Sequence, residues 1–247
     1  AYTMALIQVA VYDATVAVRG ADSKNKRPAK PFIADIVAPT GADLNAAIAT
    51  AAFRVGYERV NSNPTARSNY RNAYDAYLAG IPDGQAKTDG IAVGEAAAQA
   101  VLAARSKDNF YNTATYSNPA ANPGVWQSVL AATPYATAGA NDYAMAFTMP
   151  LTASSPDARR IKPPPRLASG KYRRDFEETK AYGALTSTTR TPAMTNVVQF
   201  WTESGFTLWS RNVRDIVTAR GLDEFEAARA LAAFSVATGD AMLACFE

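Results

Sequence analysis

Through most of this 247-residue chain, apolar residues recur at three- and four-residue steps. That spacing lines one face of an α-helix and cannot serve a strand, whose faces alternate at every residue. Residues 1–18 carry it through Leu6, Val9, Ala10, Asp13 and Ala17. The Ala-rich run Asp43–Asn61 carries it through Leu44, Ile48, Ala51, Val55 and Tyr57. Pro64 stands where a first helical turn tolerates proline and opens another amphipathic run to Leu78. After a turn over Gly80–Gly84, residues 85–108 return to helix through Ile91, Ala98, Val101 and Leu102. Short connections between these runs favour an antiparallel bundle that includes residues 1–19.

Residues 109–170 break the pattern. Most of the prolines fall there, with Asn-Pro steps and few periodic segments. Such a length without regular structure is uncommon in a compact domain. Its aromatic residues, among them Phe110, Tyr111, Tyr116, Trp126, Tyr135, Tyr143 and Phe147, give it anchors that disordered linkers lack, so a wrap over the bundle is expected. Helix resumes at Lys171–Gly183, at Pro192–Arg220 and after Asp223, where Asp223 and Glu226 have capping-box spacing. The expected fold is all-α: a bundle over 1–108, a Pro-rich wrapping segment over 109–170, and the first helices of a second bundle over 171–247, together one continuous unit. Residue 1 is Ala and already periodic, and the last helix runs to Glu247 without a stop signal, so a segment of a longer polypeptide is expected.

Function classes are narrowed most by the absence of histidine. Ser-His-Asp and Cys-His nucleophilic pairs, histidine-bearing zinc sites and Glu-x-x-His di-iron ligands are all excluded. No metal site is expected. Cys245 is the sole cysteine, so no intrachain disulfide forms and the compartment stays open, secreted and periplasmic settings included. The chain reads as soluble, with no signal-peptide pattern at its start and no apolar run near the roughly eighteen residues a membrane span needs. Gly170-Lys171 is followed by Tyr172, and Pro165 stands where a phosphate loop needs Gly. No Gly-x-Ser-x-Gly elbow occurs. The pairs Glu177/Glu178 and Glu224/Glu226 read as solvated or helix-dipole partners rather than acid–base groups.

Two basic clusters remain. Arg19, Lys24, Lys26, Arg27 and Lys30 are offset only by Asp22. Arg159, Arg160, Lys162, Arg166, Lys171, Arg173 and Arg174 fall in a stretch without acids, where Arg166 and Lys171 are candidate anion contacts. The net charge of +3 and the lack of interleaved aromatics argue against nucleic acid. Trp201 and Trp209 have helical spacing and are expected in the core.

Several segments together carry a family likeness: Pro163-Pro-Pro165, Ser169-Gly-Lys-Tyr172 leading to Glu178–Gly183, Ser187-Thr-Thr-Arg-Thr191, Phe200-Trp201, and Ala227-Ala-Arg229 through Asp240-Ala241. With these, Ile161–Glu247 resembles the middle of bacterial vanadium-dependent haloperoxidase-like proteins, of the superfamily that includes the type-2 phosphatidic acid phosphatases. Ala10-Val-Tyr-Asp-Ala14 is similar to that family's first helix. The resemblance implies an incomplete helical bundle of the haloperoxidase/acid phosphatase type, with vanadate or phosphate held among later helices. The family's anion signature is a Lys about seven places before Arg-Pro, a Ser-Gly-His segment, and an Arg with a second His. None of it is here: Arg27-Pro28 is the one Arg-Pro step and has no Lys seven places before it.

On this resemblance no catalytic residue is assigned. Phe246 is expected to wall the anion pocket and Asp240 to orient a downstream cation. Vanadate belongs to the complete enzyme and is not bound by this chain alone. The expected partner is the C-terminal remainder or another copy, with a homo-oligomer favoured. Three readings follow: the scaffold portion of a haloperoxidase-like enzyme, a portion of an acid phosphatase relative acting on phosphate esters, or a non-enzymatic helical interaction protein.

Overall fold

The computed structural model describes residues 1–21, 29–60, 63–114, 120, 122–125, 143–155, 158 and 162–246. Its elements are α1 (Tyr2–Ala21), α2 (Leu44–Arg59), α3 (Pro64–Ala79), α4 (Gln85–Ala104), a short 3-10 turn at Tyr143–Phe147, α5 (Gly170–Gly183), α6 (Pro192–Phe200), α7 (Gly205–Ala219) and α8 (Glu224–Phe246). There is no strand among the described residues. The all-α reading holds.

Helices begin where side chains can take up free N–H groups. Asp43 accepts from Ala46 N–H at 2.7 Å and Asn63 from Ala66 N–H at 2.9 Å. Ser169 accepts from Tyr172 N–H and Thr191 from Met194 N–H. At α8 the capping box closes both ways: Glu226 N–H donates to Asp223 Oδ1 at 2.8 Å, and Asp223 N–H to Glu226 Oε2 at 3.4 Å.

The core is organised around α1, which packs against α2, α4 and α8. Tyr2, Leu6, Val9, Ala10 and Ala14 are buried on it, facing Ala47, Ala51 and Val55 of α2, Val93, Ala97 and Val101 of α4, and Ala228, Val236 and Leu243 of α8. Contacts fix the directions. The start of α1 meets the end of α4 through Tyr2 and Asp108, while its end meets the start of α8 through Arg19 and Glu224, so α1 runs antiparallel to both. Asp43 approaches Gly90, Ala47 approaches Gly94 and Arg59 approaches Asp108, so α2 and α4 run parallel.

Consecutive helices thus alternate in direction, as expected of an antiparallel bundle; what was not expected is the direct packing of the parallel pair α2 and α4, and α3 explains it. Antiparallel to α2, α3 returns the chain to its starting end, yet it touches only α2 and buries no residue of its own. Tyr74 stacks on Phe53 at 4.2 Å between ring centroids, and Tyr70 fills the space over Gly56. Between α2 and α4 the backbones almost touch: a Cβ on Gly90 or Gly94 would lie 2.3 Å from the carbonyl oxygen of Asp43 or Ala47. Of the expected buried face of α2, Ala51 and Val55 are interior, whereas Leu44, Ile48 and Tyr57 are partly exposed.

Three further expectations change. Pro192–Arg220 is two helices, divided at residues 201–204, where Thr202 Oγ1 bonds back to Gln199 O and Ser204 and Gly205 start α7. By length and composition α8 is long and apolar enough to cross a membrane, which does not show as an unbroken apolar run in the sequence because Arg229, Ser235, Thr238 and Asp240 interrupt it. Here it lies along α1 with Ala228, Ala232, Val236 and Leu243 buried. Trp201 and Trp209 are 54% and 52% exposed and not in a core. Tyr116, Trp126 and Tyr135 of the wrap, Asp22, Lys24, Lys26 and Arg27 of the first basic cluster, Arg159, Arg160 and Glu247 lie outside the described residues.

Candidate functional site

At the end of the bundle where α1 begins and α2 and α4 finish, charged side chains are buried together. The Arg59 and Asp108 side chains are only 5% and 4% exposed, with Arg59 Nη2 3.0 Å from Asp108 Oδ2. The Tyr2 hydroxyl donates to the same oxygen at 2.8 Å and accepts from Arg105 Nε at 3.0 Å. Arg105 Nη2 also donates to the Met149 carbonyl, and Met149 N–H donates to Asp108 O at 2.8 Å. The Arg59 guanidinium lies 5.5 Å and 5.4 Å from the ring centroids of Phe110 and Tyr111, and Phe110 stacks on Tyr2. This belt ties three helix ends and residues 143–152 to one another. Burial raises the Tyr2 phenol well above its ordinary value, against the lowering pull of Arg105.

Two further buried carboxylates pin extended segments. Asp13, fully buried on α1, accepts from the N–H groups of Phe32, Ile33 and Ala34 at 2.6, 2.9 and 2.8 Å. Its burial pushes the carboxyl above the usual range, and the three donors oppose the shift. Asp240 on α8 accepts from Leu151 N–H at 2.7 Å, from Thr152 N–H at 2.9 Å and from the Thr152 hydroxyl. The described parts of 109–170 are therefore held on the bundle at Phe110 and Tyr111 by Tyr2 and Arg59, at Met149 by Arg105, and at residues 151–152 by Asp240.

The site residues expected from sequence are dispersed. Asp240 is buried with its own partners at Leu151 and Thr152, and Phe246 is half-buried at the end of α8. Arg166 and Lys171 are exposed before and within the first turn of α5, with Lys171 Nζ 2.8 Å from Asp175 Oδ2. No hydrogen bond, ion pair or ring contact joins any two of the four. The belt of Tyr2, Arg59, Arg105 and Asp108 was not anticipated. Its one sequence signal, two arginines and an aspartate at helix ends, is indistinguishable from ordinary surface charge until the tertiary fold is known.

Vanadate or phosphate needs several converging donors that are not already engaged. Arg59 and Arg105 are turned onto Asp108, Tyr2 and backbone carbonyls, and Lys171 is turned onto Asp175. No group of three or more Cys, Asp or Glu side chains placed to hold a metal occurs among the described residues. The described residues do not bring together the unengaged donors that a bound vanadate needs.

No model of a known protein family matches the sequence, and no curated protein does. Among solved structures, the chain is similar to one described as the first bacterial vanadium-dependent iodoperoxidase, with a TM-score of 0.72 and 17% identity over 99% of this chain. The fold is that of a vanadium haloperoxidase. The chain spans 62% of that structure's length.

Proposed function

We propose that this chain is the scaffold portion of a vanadium haloperoxidase-like enzyme, and that the complete protein uses peroxide to oxidise halide at a vanadate held outside these residues. The observation that carries this reading is the fold: 99% of the chain superposes on a vanadium iodoperoxidase that is longer than it. In such an enzyme the bound vanadate supplies the site at which peroxide is activated. No residue described here takes part in that step, because the buried cations are already paired and imidazole is absent from the sequence.

The chain's own contribution is positional. Asp13 and Asp240 hold two extended segments against the α1–α8 pair, and the Tyr2–Arg105–Asp108–Arg59 belt fixes the ends of three helices. Asp240 holds Leu151 and Thr152, Phe246 stands half-buried at the end of α8, and Arg166 and Lys171 remain exposed at the start of α5.

The test is turnover of bromide or iodide with peroxide and vanadate. The 247-residue chain alone is expected to remain at the buffer rate, and the product of the uninterrupted coding region to exceed it. Activity of the chain alone would refute the reading. Phosphate-ester hydrolysis without halide oxidation by the longer product would transfer it to the phosphatase branch.

A further inference from the structure

Helix α6 carries the pattern of a core helix without a core. Met194, Val197, Val198 and Trp201 follow at i, i+3, i+4 and i+7, the stripe that an amphipathic helix buries, yet they are 44, 58, 57 and 54% exposed. Trp209 and Ile216, two turns apart on α7, are 52% and 56% exposed. The two tryptophan rings are 6.5 Å apart between centroids, so the stripes on α6 and α7 join. Among the described residues, ten of the sixteen exposed large hydrophobics fall between Phe176 and Ile216, while α1, α2 and α4 contribute none. The unburied apolar surface belongs to one part of the fold.

The corners that hold this surface are built from specific bonds. Arg190 donates to the carbonyls of Tyr182 and Ala184 at the end of α5 and to Thr195 Oγ1 in α6. Arg211 grips both oxygens of Glu203 at 3.0 and 2.8 Å across the turn between α6 and α7. Neither α5 nor α6 packs against another helix by more than a marginal contact, and α7 has only α8 behind it. A contiguous apolar array on a locally ordered hairpin marks an interaction surface.

We infer that the α6–α7 face is the seat of additional helices of the same polypeptide, packed on the stripe Met194–Val197–Val198–Trp201 and on Trp209 and Ile216. The inference rests on the proposed scaffold role and names where the rest of the protein docks. Its occupant follows from length and place: the similar iodoperoxidase has about two-fifths of its chain outside the part this one covers, and most of the exposed large hydrophobics among the described residues sit on this face, whereas a second open stripe, Tyr70–Tyr74–Tyr77 on α3, already has α2 behind it with Tyr74 stacked on Phe53.

Hydroxyl-radical footprinting of the product of the uninterrupted coding region, beside the 247-residue chain, tests the assignment. In the longer product, labelling of Met194, Trp201 and Trp209 is expected to fall by about tenfold, as for a half-exposed side chain made interior by a well-packed interface. Val198→Asp is expected to leave helicity and melting of the 247-residue chain unchanged, since its side chain is exposed there, and to restore labelling in the longer product. Unchanged labelling in the longer product would overturn the inference. So would a coding region that ends at residue 247, or protection already complete in a dimer of the chain alone. Protection without halide oxidation would uphold the docking face while refuting the haloperoxidase reading, and oxidation without protection would do the reverse.

Discussion

Asp13 holds three consecutive backbone N–H groups that would otherwise be stranded beside the core. Removing the acceptor leaves partly buried donors unsatisfied, so Asp13→Ala should cost about 2–4 kcal/mol of unfolding free energy in urea titration, and Asp13→Asn less, because one acceptor oxygen survives. Sequence periodicity placed Asp13 on the inner face of its helix. It could not reveal that the partners are backbone groups on a separate segment, since those contacts leave no side-chain pattern. The Arg59–Asp108 pair illustrates the same limit and carries its own expectation: Asp108→Ala abandons two buried guanidiniums and should destabilise by about 3–5 kcal/mol. Tyr2 gives a pH signature. Its folded pKa is raised, so its contribution is fully present below the unfolded value of 10 and is lost as pH rises through the higher folded value. Stability should fall from pH 10 upward more steeply in the native chain than in Tyr2→Phe, by about 1.4 kcal/mol per pH unit for the one proton involved.

Between elements, the close approach of α2 and α4 depends on two glycines. Gly94→Ala would normally gain up to about 1 kcal/mol in helix propensity, but its Cβ would meet a backbone carbonyl that no rotamer change can move, a conflict worth about 1–3 kcal/mol. Net destabilisation is expected by thermal unfolding, whereas Gly20→Ala, with open space around it, should stabilise. Most helices were legible from spacing and caps: Asp43, Pro64 and Asp223 mark starts that the structure keeps. The division between α6 and α7 was not, because the apolar pattern runs on through Trp201 and only Thr202 and the Ser204-Gly205 start interrupt it. The parallel pairing of α2 and α4 escaped as well, since short loops constrain neighbours in sequence and say nothing of helices one further apart. Trp201 and Trp209 carry a core pattern but stand half-exposed, because helical spacing marks an apolar face without saying what, if anything, covers it.

At the scale of the molecule, the bundle of α1, α2, α4 and α8 is closed by its own side chains, while α5–α7 project an apolar face from it. The fold class was therefore legible, and the anion site was not, for a physical reason: an oxyanion pocket needs several unengaged donors at one place, and here each buried cation has a carboxylate, a phenol or a carbonyl against it. Vanadium NMR of orthovanadate titrated with the 247-residue chain puts this to the most direct test. The free orthovanadate signal should persist unbroadened at equimolar protein, as for a scaffold that has no anion site of its own. A stoichiometric bound resonance from the chain alone would contradict it.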